Sequence, residues 1–186
     1  MVQLVNWVPP NENQVALNVD GCSLGNTGQA GCGGLIRDHT GSWLLGFSGY
    51  IGFVDSVEAE LRGIEIGLKL AWDFRYREVS CRSDCFVAIL LIENSTFEPH
   101  QYVEIRDSIK ELKSRDWTVS LIWTERESNQ CADFMAKIGA LTNQNVDFIA
   151  KMGGSTVDGL TLFSKPLHDL SSLLSSDAKR TTYVRV

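Results

Sequence analysis

Four acidic residues lie at or near the ends of predicted strands and helices, and their positions suit metal-dependent chemistry. They are Asp20, Glu60, Asp84 and Asp133. If the strands that end at Asp20 and Asp84 are parallel neighbours, both acids meet at the sheet edge where open α/β sheets place their sites. Four carboxylates in one cleft would repel one another, and a divalent cation relieves that repulsion. Such hard oxygen ligands suit Mg²⁺ or Mn²⁺.

Each of these acids also has a purely structural explanation. Asp20-Gly21 is a common turn between two strands, and Glu60 can lie at the edge of an apolar helix stripe near the helix N-terminus. Asp84 can cap the helix that follows it, and Asp133 can interact favourably with a helix dipole. The residue pattern alone leaves both explanations open at every position.

The first elements that would position these acids follow a strand periodicity. Residues 15–22 alternate apolar and polar side chains, which indicates a strand with one buried face. A glycine-rich loop is expected from residue 21 to residue 31. Residues 32–37 and 42–50 are predicted as two further strands, and their short connections predict an antiparallel meander.

The remaining elements alternate between helix and strand. A strong helix is predicted over residues 57–74, because apolar side chains recur there at helical spacing after the capping pair Asp55-Ser56. The later elements are predicted at residues 78–83, 86–92, 99–114, 118–124 and 130–141. This order predicts an α/β fold with a mixed five-stranded sheet, three antiparallel strands and then two parallel ones, flanked by helices with right-handed crossovers.

The chain is expected to have three parts. Residues 1–14, rich in Pro and Asn, are predicted to form an extended arm with Trp7 packed on the domain. Residues 15–142 are predicted to form the folded domain. The periodicity fades after residue 142, so residues 143–186 are predicted to form a C-terminal tail without chemistry, which can include one short amphipathic helix.

The composition limits the classes of function. A net charge of -6 argues against a large basic nucleic-acid surface but permits a metal-neutralised site. No apolar run approaches the roughly 20 residues of a membrane span, and no signal peptide is recognisable. The 5 cysteines lack the paired spacing of a zinc site, which favours reduced thiols. We therefore expect a monomeric intracellular domain, in the cytoplasm or nucleus, without a membrane partner.

A series of short motifs extends from residue 7 to residue 142. They are Trp7-x-Pro9-Pro10, Asn18-Val19-Asp20-Gly21, Gly33-Gly34-Leu35-Ile36-Arg37-Asp38-His39-Thr40-Gly41, Ala59-Glu60-Leu61, Gly67-Leu68, Ser83-Asp84 and Arg126-Glu127-x-Asn129-x-x-Ala132-Asp133. In their joint order and spacing they resemble the type 1 ribonuclease H family, and most closely the plant retroelement-type RNase H-like domains.

This resemblance implies an RNase H-like fold and an endonuclease that hydrolyses the RNA strand of RNA–DNA hybrids. It implies that Asp20, Glu60, Asp84 and Asp133 are catalytic and hold two ions of Mg²⁺ or Mn²⁺. Asp20 would be shared by both ions. Glu60 and Asp84 would complete one site, and Asp133 would hold the second ion.

The resemblance also implies substrate contacts, and the chain departs from the family at one position. Backbone groups of Gly21 and Cys22 are expected to contact the RNA strand. The family often has a histidine ten residues before the last Asp as a proton shuttle, whereas this chain has Trp123 there. Loss of a general acid–base group typically costs about 10²–10⁴ in rate. The alternative function is therefore a weakly active or inactive nucleic-acid-binding module derived from a retroelement.

Overall fold

A computed structural model describes residues 3–25, 28–94, 100–142, 154–157, 159–178 and 183–185 of the chain. The strands are β1 Gln3–Val5, β2 Val15–Ser23, β3 Gln29–Arg37, β4 Trp43–Phe53, β5 Glu78–Ser83, β6 Thr118–Trp123, β7 Ser155–Val157, β8 Leu160–Phe163 and β9 Tyr183–Arg185. The α-helices are α1 Ser56–Asp73, α2 Phe86–Glu93, α3 Val103–Lys113, α4 Gln130–Leu141 and α5 Ser171–Ala178. Short 3-10 turns lie at His100–Tyr102, Arg126–Ser128 and His168–Leu170.

The main sheet contains the five strands that the sequence predicts. Strand β2 pairs antiparallel with β3, and β3 pairs antiparallel with β4. On the other side, β2 pairs parallel with β5, and β5 pairs parallel with β6. The predicted mixed arrangement of three antiparallel and two parallel strands is therefore confirmed.

Two additional strands widen this sheet within the described residues. Strand β8 pairs antiparallel with β4, and β7 pairs antiparallel with β8, so the strand order is β6-β5-β2-β3-β4-β8-β7. Both strands come from the predicted tail, together with the helix α5. The prediction of five strands missed them because strands of three and four residues are too short to show a periodicity. The division of the chain at residues 14 and 142 stays a prediction.

Element boundaries differ from the prediction where glycines are frequent. Strand β2 continues to Ser23 and β3 begins at Gln29, so the expected loop between residues 21 and 31 is shorter. Residues 26 and 27 of that loop lie outside the described part. Glycine is needed in these strands for close packing: a Cβ atom on Gly31 would lie 2.0 Å from the Ala140 nitrogen of α4.

Two later segments also differ in detail, and one matches. The predicted helix over residues 99–114 starts as a 3-10 turn and becomes α3 at Val103, and residue 99 lies outside the described part. The expected loop at residues 125–128 contains a 3-10 turn. Strand β5 matches its predicted bounds, because strong alternation and flanking charges define both of its ends.

Two hydrophobic clusters hold the helices on the sheet. The alternation of β2 directs Leu17 and Val19 into the cluster that α1, α2 and α3 complete. A second cluster joins Leu35 of β3 to Met135 of α4 and to Leu170 in the C-terminal segment. Asn18, between the two apolar residues of β2, is buried and bonds to Asn129 at the start of α4.

The N-terminal arm and the C-terminal segment are attached to each other and to the domain. Strand β1, which the sequence did not predict, pairs antiparallel with β9. Trp7 is buried, and the Arg37 guanidinium lies 3.6 Å from the centre of its ring, so the expected packing of Trp7 is confirmed. No helix in the described ranges is both long and apolar enough to cross a lipid bilayer.

Candidate metal centre

Three of the four predicted acids converge at one edge of the main sheet. Each of Asp20, Glu60 and Asp84 has a carboxylate oxygen within 4.8 Å of the other two. The parallel register of β2 and β5 pairs Asn18 with Arg82. Because Asp20 and Asp84 each lie two residues further along their strands, both extend from the same edge.

Glu60 reaches this edge because α1 packs very closely against β2. A Cβ atom on Gly21 would lie 2.1 Å from the carbonyl carbon of Ala59, so only glycine allows this approach. The start of α1 is fixed by Asp55, whose side chain accepts a hydrogen bond from the Glu58 backbone nitrogen at 2.8 Å. The second helical turn then places the Glu60 carboxylate beside Asp20.

Ser83 connects Glu60 to the end of β5. Its hydroxyl donates to Glu60 Oε2 at 3.2 Å and accepts from the Cys85 backbone nitrogen at 3.0 Å. Asp84 does not cap α2, whose N-cap is Cys85 without a side-chain capping bond. The Asp84 side chain is therefore left to face the cavity.

Burial makes the charge of this cluster costly. Asp20 and Glu60 are only 5% and 7% exposed. Burial raises the pKa of Asp20 well above its ordinary value, and the charges of Glu60 and Asp84 raise it further. Burial likewise raises the pKa of Glu60, with the charge of Asp84 as the next cause. Two buried carboxyl groups with raised pKa values, converging on a third acid, fit a hard divalent cation, which would neutralise the mutual repulsion of the three.

Asp133 lines the same cavity but is held differently. The cavity has a volume of about 230 Å³, and Asp20, Glu60 and Asp84 also line it. Asp133 Oδ2 lies 2.5 Å from Lys137 Nζ, one helical turn along α4, and its Oδ1 lies 3.6 Å from Arg126. The structure thus brings all four predicted acids to one cavity, with three in close contact and Asp133 paired to cations.

The predicted substrate-contacting residues border this cavity as well. Gly21 and Cys22 both line it, because β2 continues past Asp20 along the sheet edge. Burial raises the pKa of the Cys22 thiol, and the negative charges of Asp20 and Asp133 add to that shift. Contact of these residues with RNA stays a prediction.

Trp123 lies directly beside the acidic cluster. It is the last residue of β6 and is 44% exposed. Its indole Nε1 donates to the Asp84 carbonyl oxygen at 3.1 Å. The residue that stands where the family often has a histidine is therefore a neighbour of a candidate metal ligand.

Asn129 has a role that the sequence did not reveal. It occupies the N-cap position of α4, but its side chain makes no capping bond. Its Nδ2 instead donates to Asp84 Oδ1 at 3.1 Å and to the Val19 carbonyl at 2.9 Å. Its place in the last motif was the only signal in the sequence, because the partners of its side chain are distant along the chain.

Several solved structures share the fold of this protein. RNase H1 from Halobacterium salinarum matches with a TM-score of 0.66 at 23% identity, over 70% of this chain and 99% of that chain. The N-terminal RNase H domain of Rv2228c from Mycobacterium tuberculosis matches with a TM-score of 0.65 at 24% identity, over 69% of this chain and 94% of that chain. LC11-RNase H1, in complex with an RNA/DNA hybrid, matches with a TM-score of 0.64 at 24% identity, over 69% of this chain and 97% of that chain. The fold is RNase H-like, as the sequence predicts.

A family comparison is more specific than the fold. The chain belongs to the reverse transcriptase-like family, whose model matches residues 18–139. An Arabidopsis thaliana protein named "Putative ribonuclease H protein At1g65750" is 34% identical over 134 residues, which is 72% of this chain. That match spans only 22% of the Arabidopsis protein's length.

Proposed function

We propose that this chain is a metal-dependent endoribonuclease that hydrolyses the RNA strand of RNA–DNA hybrids. The observation that carries the proposal is the convergence of Asp20, Glu60 and Asp84 within 4.8 Å, in a cavity that Asp133 also lines. The hybrid bound to LC11-RNase H1, a protein of the same fold, supports the substrate class.

The four acids would hold two ions of Mg²⁺ or Mn²⁺. When bound, such ions make an attacking water more acidic and stabilise the leaving oxygen at phosphorus. The protein holds the ligands in place through Ser83 on Glu60 and Asn129 on Asp84. Lys137 and Arg126, which line the cavity beside Asp133, would offset the charge of the phosphodiester.

Two further features bear on substrate and rate. Gly21 and Cys22 would present backbone groups to the RNA strand, where 2′-hydroxyl groups distinguish RNA from DNA. Trp123 has no titratable group, and its indole N–H is bonded to the Asp84 carbonyl. Proton transfer would therefore rely on water, and we expect a rate about 10²–10⁴ below that of a site with a general acid–base group.

Hydrolysis of a labelled RNA–DNA hybrid tests this function. We expect cleavage of the RNA strand only with Mg²⁺ or Mn²⁺, and its loss in Asp20→Asn, because that change removes a ligand while preserving shape. Asp116→Asn makes the same change at an exposed position and should cleave like the wild type. Cleavage that survives Asp20→Asn would refute the proposal.

Trp123 favours a second candidate, a hybrid-binding module without turnover. Its replacement of a proton-shuttling histidine affects catalysis without affecting binding. Fluorescence anisotropy with a labelled hybrid separates the two functions. A wild type that binds the hybrid without cutting it, and an Asp84→Asn variant of equal affinity, would identify a binding module.

A further inference from the structure

A buried chain of side-chain hydrogen bonds connects the acidic cluster to the N-terminal arm and to the helix α5. At its centre are Asn18 and Asn129, each 1% exposed. Asn18 Nδ2 donates to Asn129 Oδ1 at 3.0 Å. We call these two residues the asparagine pair. The pair lies between Asp84 on one side and Trp7 and Arg37 on the other.

The orientation of both amides follows from which groups can only donate. The indole of Trp7 and the guanidinium of Arg37 have no acceptor, and both donate to Asn18 Oδ1, at 3.1 Å and 3.3 Å. Asn18 must therefore turn its NH₂ group towards Asn129. Asn129 then accepts with its oxygen and directs its own NH₂ group at Asp84 Oδ1 and the Val19 carbonyl.

Arg37 is itself fixed from two directions. Its Nη1 lies 2.7 Å from Asp177 Oδ2 of α5, with both side chains largely buried. Its guanidinium also stacks 3.6 Å from the centre of the Trp7 ring. The donors that orient the asparagine pair are thus held by segments before and after the core sheet.

We propose that Asn18 and Asn129 are positioning residues for Asp84, and that Trp7 and Arg37 set the direction of their hydrogen bonds. The assignment rests on the proposed function, because Asp84 is there a metal ligand. Asn129 bridges the Asp84 carboxylate and the carbonyl of Val19, the residue before Asp20. It therefore ties β2 beside Asp20 to the residue that follows β5, and the acids at these two places must share a cation.

The substitution Asn18→Asp separates a positioning role from simple core filling. It preserves the shape of the residue and the oxygen that Trp7 and Arg37 contact, but it replaces the NH₂ donor with a second oxygen. Asn129 can bond to that oxygen only by turning its amide over. Its own oxygen would then face the Asp84 carboxylate and the Val19 carbonyl, and both contacts would become repulsive.

The experiment is a calorimetric titration with Mn²⁺ alone, followed by hybrid cleavage across a range of Mn²⁺ concentrations. Loss of a residue that orients a metal ligand typically weakens affinity about 10–100-fold, and we expect that loss for Asn18→Asp. Cleavage should fall at low Mn²⁺ and recover as Mn²⁺ is raised. Asn11→Asp, the same change at an exposed position, should behave as the wild type.

A second variant decides the matter if Asn18→Asp does not fold. Trp7→Phe removes one donor to Asn18 but preserves an aromatic ring beneath Arg37. It should also weaken Mn²⁺ binding, but by less than Asn18→Asp does. A folded Asn18→Asp with wild-type Mn²⁺ affinity, or an unfolded Asn18→Asp with an unchanged Trp7→Phe, would overturn the assignment.

The same measurements distinguish this assignment from the function on which it rests. If the wild type binds no Mn²⁺ and cleaves no hybrid, the proposed function fails and the assignment fails with it. If the wild type binds Mn²⁺ and Asn18→Asp binds it equally well, only the assignment fails.

Discussion

Asp20 is a buried carboxyl that faces two other acids, so its charge opposes folding unless a cation is bound. Its pKa is raised by burial first and then by Glu60 and Asp84. In the unfolded chain the same carboxyl is ionised at neutral pH. Under the proposed function, the site therefore costs stability in the metal-free protein, and a bound divalent cation would offset that cost.

We expect Asp20→Asn to stabilise the metal-free protein in EDTA at pH 7. An uncharged amide removes the repulsion, and each kcal/mol gained raises Tm by about 2–4 °C in a chain of this size. Millimolar Mn²⁺ should raise the Tm of the wild type and not that of the variant, because the ion binds the folded state preferentially. A lower Tm for Asp20→Asn in EDTA would contradict this account.

The difference in stability between Asp20→Asn and the wild type should depend on pH, because the pKa values of the acids are raised on folding. The pKa of Asp20 is raised from 3.8 to about 10, and the pKa of Glu60 is raised from 4.5 to about 7. Between the ordinary and the raised pKa values, the folded protein binds more protons than the unfolded chain, so the free energy of unfolding falls as the pH rises. Urea unfolding in EDTA should show the advantage of Asp20→Asn growing between pH 5 and pH 7, by up to about 1.4 kcal/mol per pH unit. The control Asp116→Asn should give no such trend.

The sequence predicted the individual acids better than their partners. Asp20, Glu60 and Asp84 could be expected to converge because the order and spacing of the motifs around them resemble one family, whereas the residue pattern alone left a structural explanation open for each. Lys137 follows Asp133 by one helical turn, so an ion pair between them can be inferred from their spacing on the helix. The partners of Asn129 were not, because the contact with Asn18 spans 111 residues and depends on how α4 packs across β2.

At the scale of elements, the contact between α1 and β2 decides whether the acids meet. The backbone of Ala59 occupies the space where a side chain on residue 21 would lie. Periodicity predicted both elements and most of their bounds. It could not predict how close they lie, because Gly21 was equally consistent with an ordinary turn.

We therefore expect Gly21→Ala to separate α1 from β2 and to displace Glu60. A Cβ atom 2.1 Å from the Ala59 carbonyl carbon cannot be accommodated without backbone movement, and overpacking of this kind typically costs about 1–3 kcal/mol or more. Urea unfolding should show that loss, and Mn²⁺ binding should weaken as well. Gly25→Ala adds its Cβ in open space but at a φ of +97°, so backbone strain should lower its stability while it retains Mn²⁺ affinity. Wild-type Mn²⁺ affinity in Gly21→Ala would disprove this role of the contact.

At the scale of the whole molecule, a buried ion pair ties the C-terminal segment to the main sheet. Arg37 of β3 and Asp177 of α5 are 140 residues apart and lie 2.7 Å from each other. The fading periodicity after residue 142 predicted a tail. In its described residues this segment is attached through a buried ion pair, a short apolar cluster and strands of three or four residues, which are too short to show a periodicity.

Asp177→Ala should destabilise the protein by about 3–5 kcal/mol, because it leaves the buried guanidinium of Arg37 without its counterion. Urea unfolding measures the effect. Asp169→Ala, which removes an acid that is 72% exposed, should cost much less. Similar stability of the two variants would show that α5 contributes nothing through this pair.

The pairing of β1 with β9 has a consequence for how this unit fits into longer chains. Gln3 lies opposite Arg185 in that pair, so the path into the fold and the path out of it run side by side. A unit whose entry and exit are adjacent can be inserted into a surface loop of another protein without forcing the flanking segments apart. The same geometry suits circular permutation, with new ends opened at an exposed turn such as the one at His39 and Thr40 between β3 and β4.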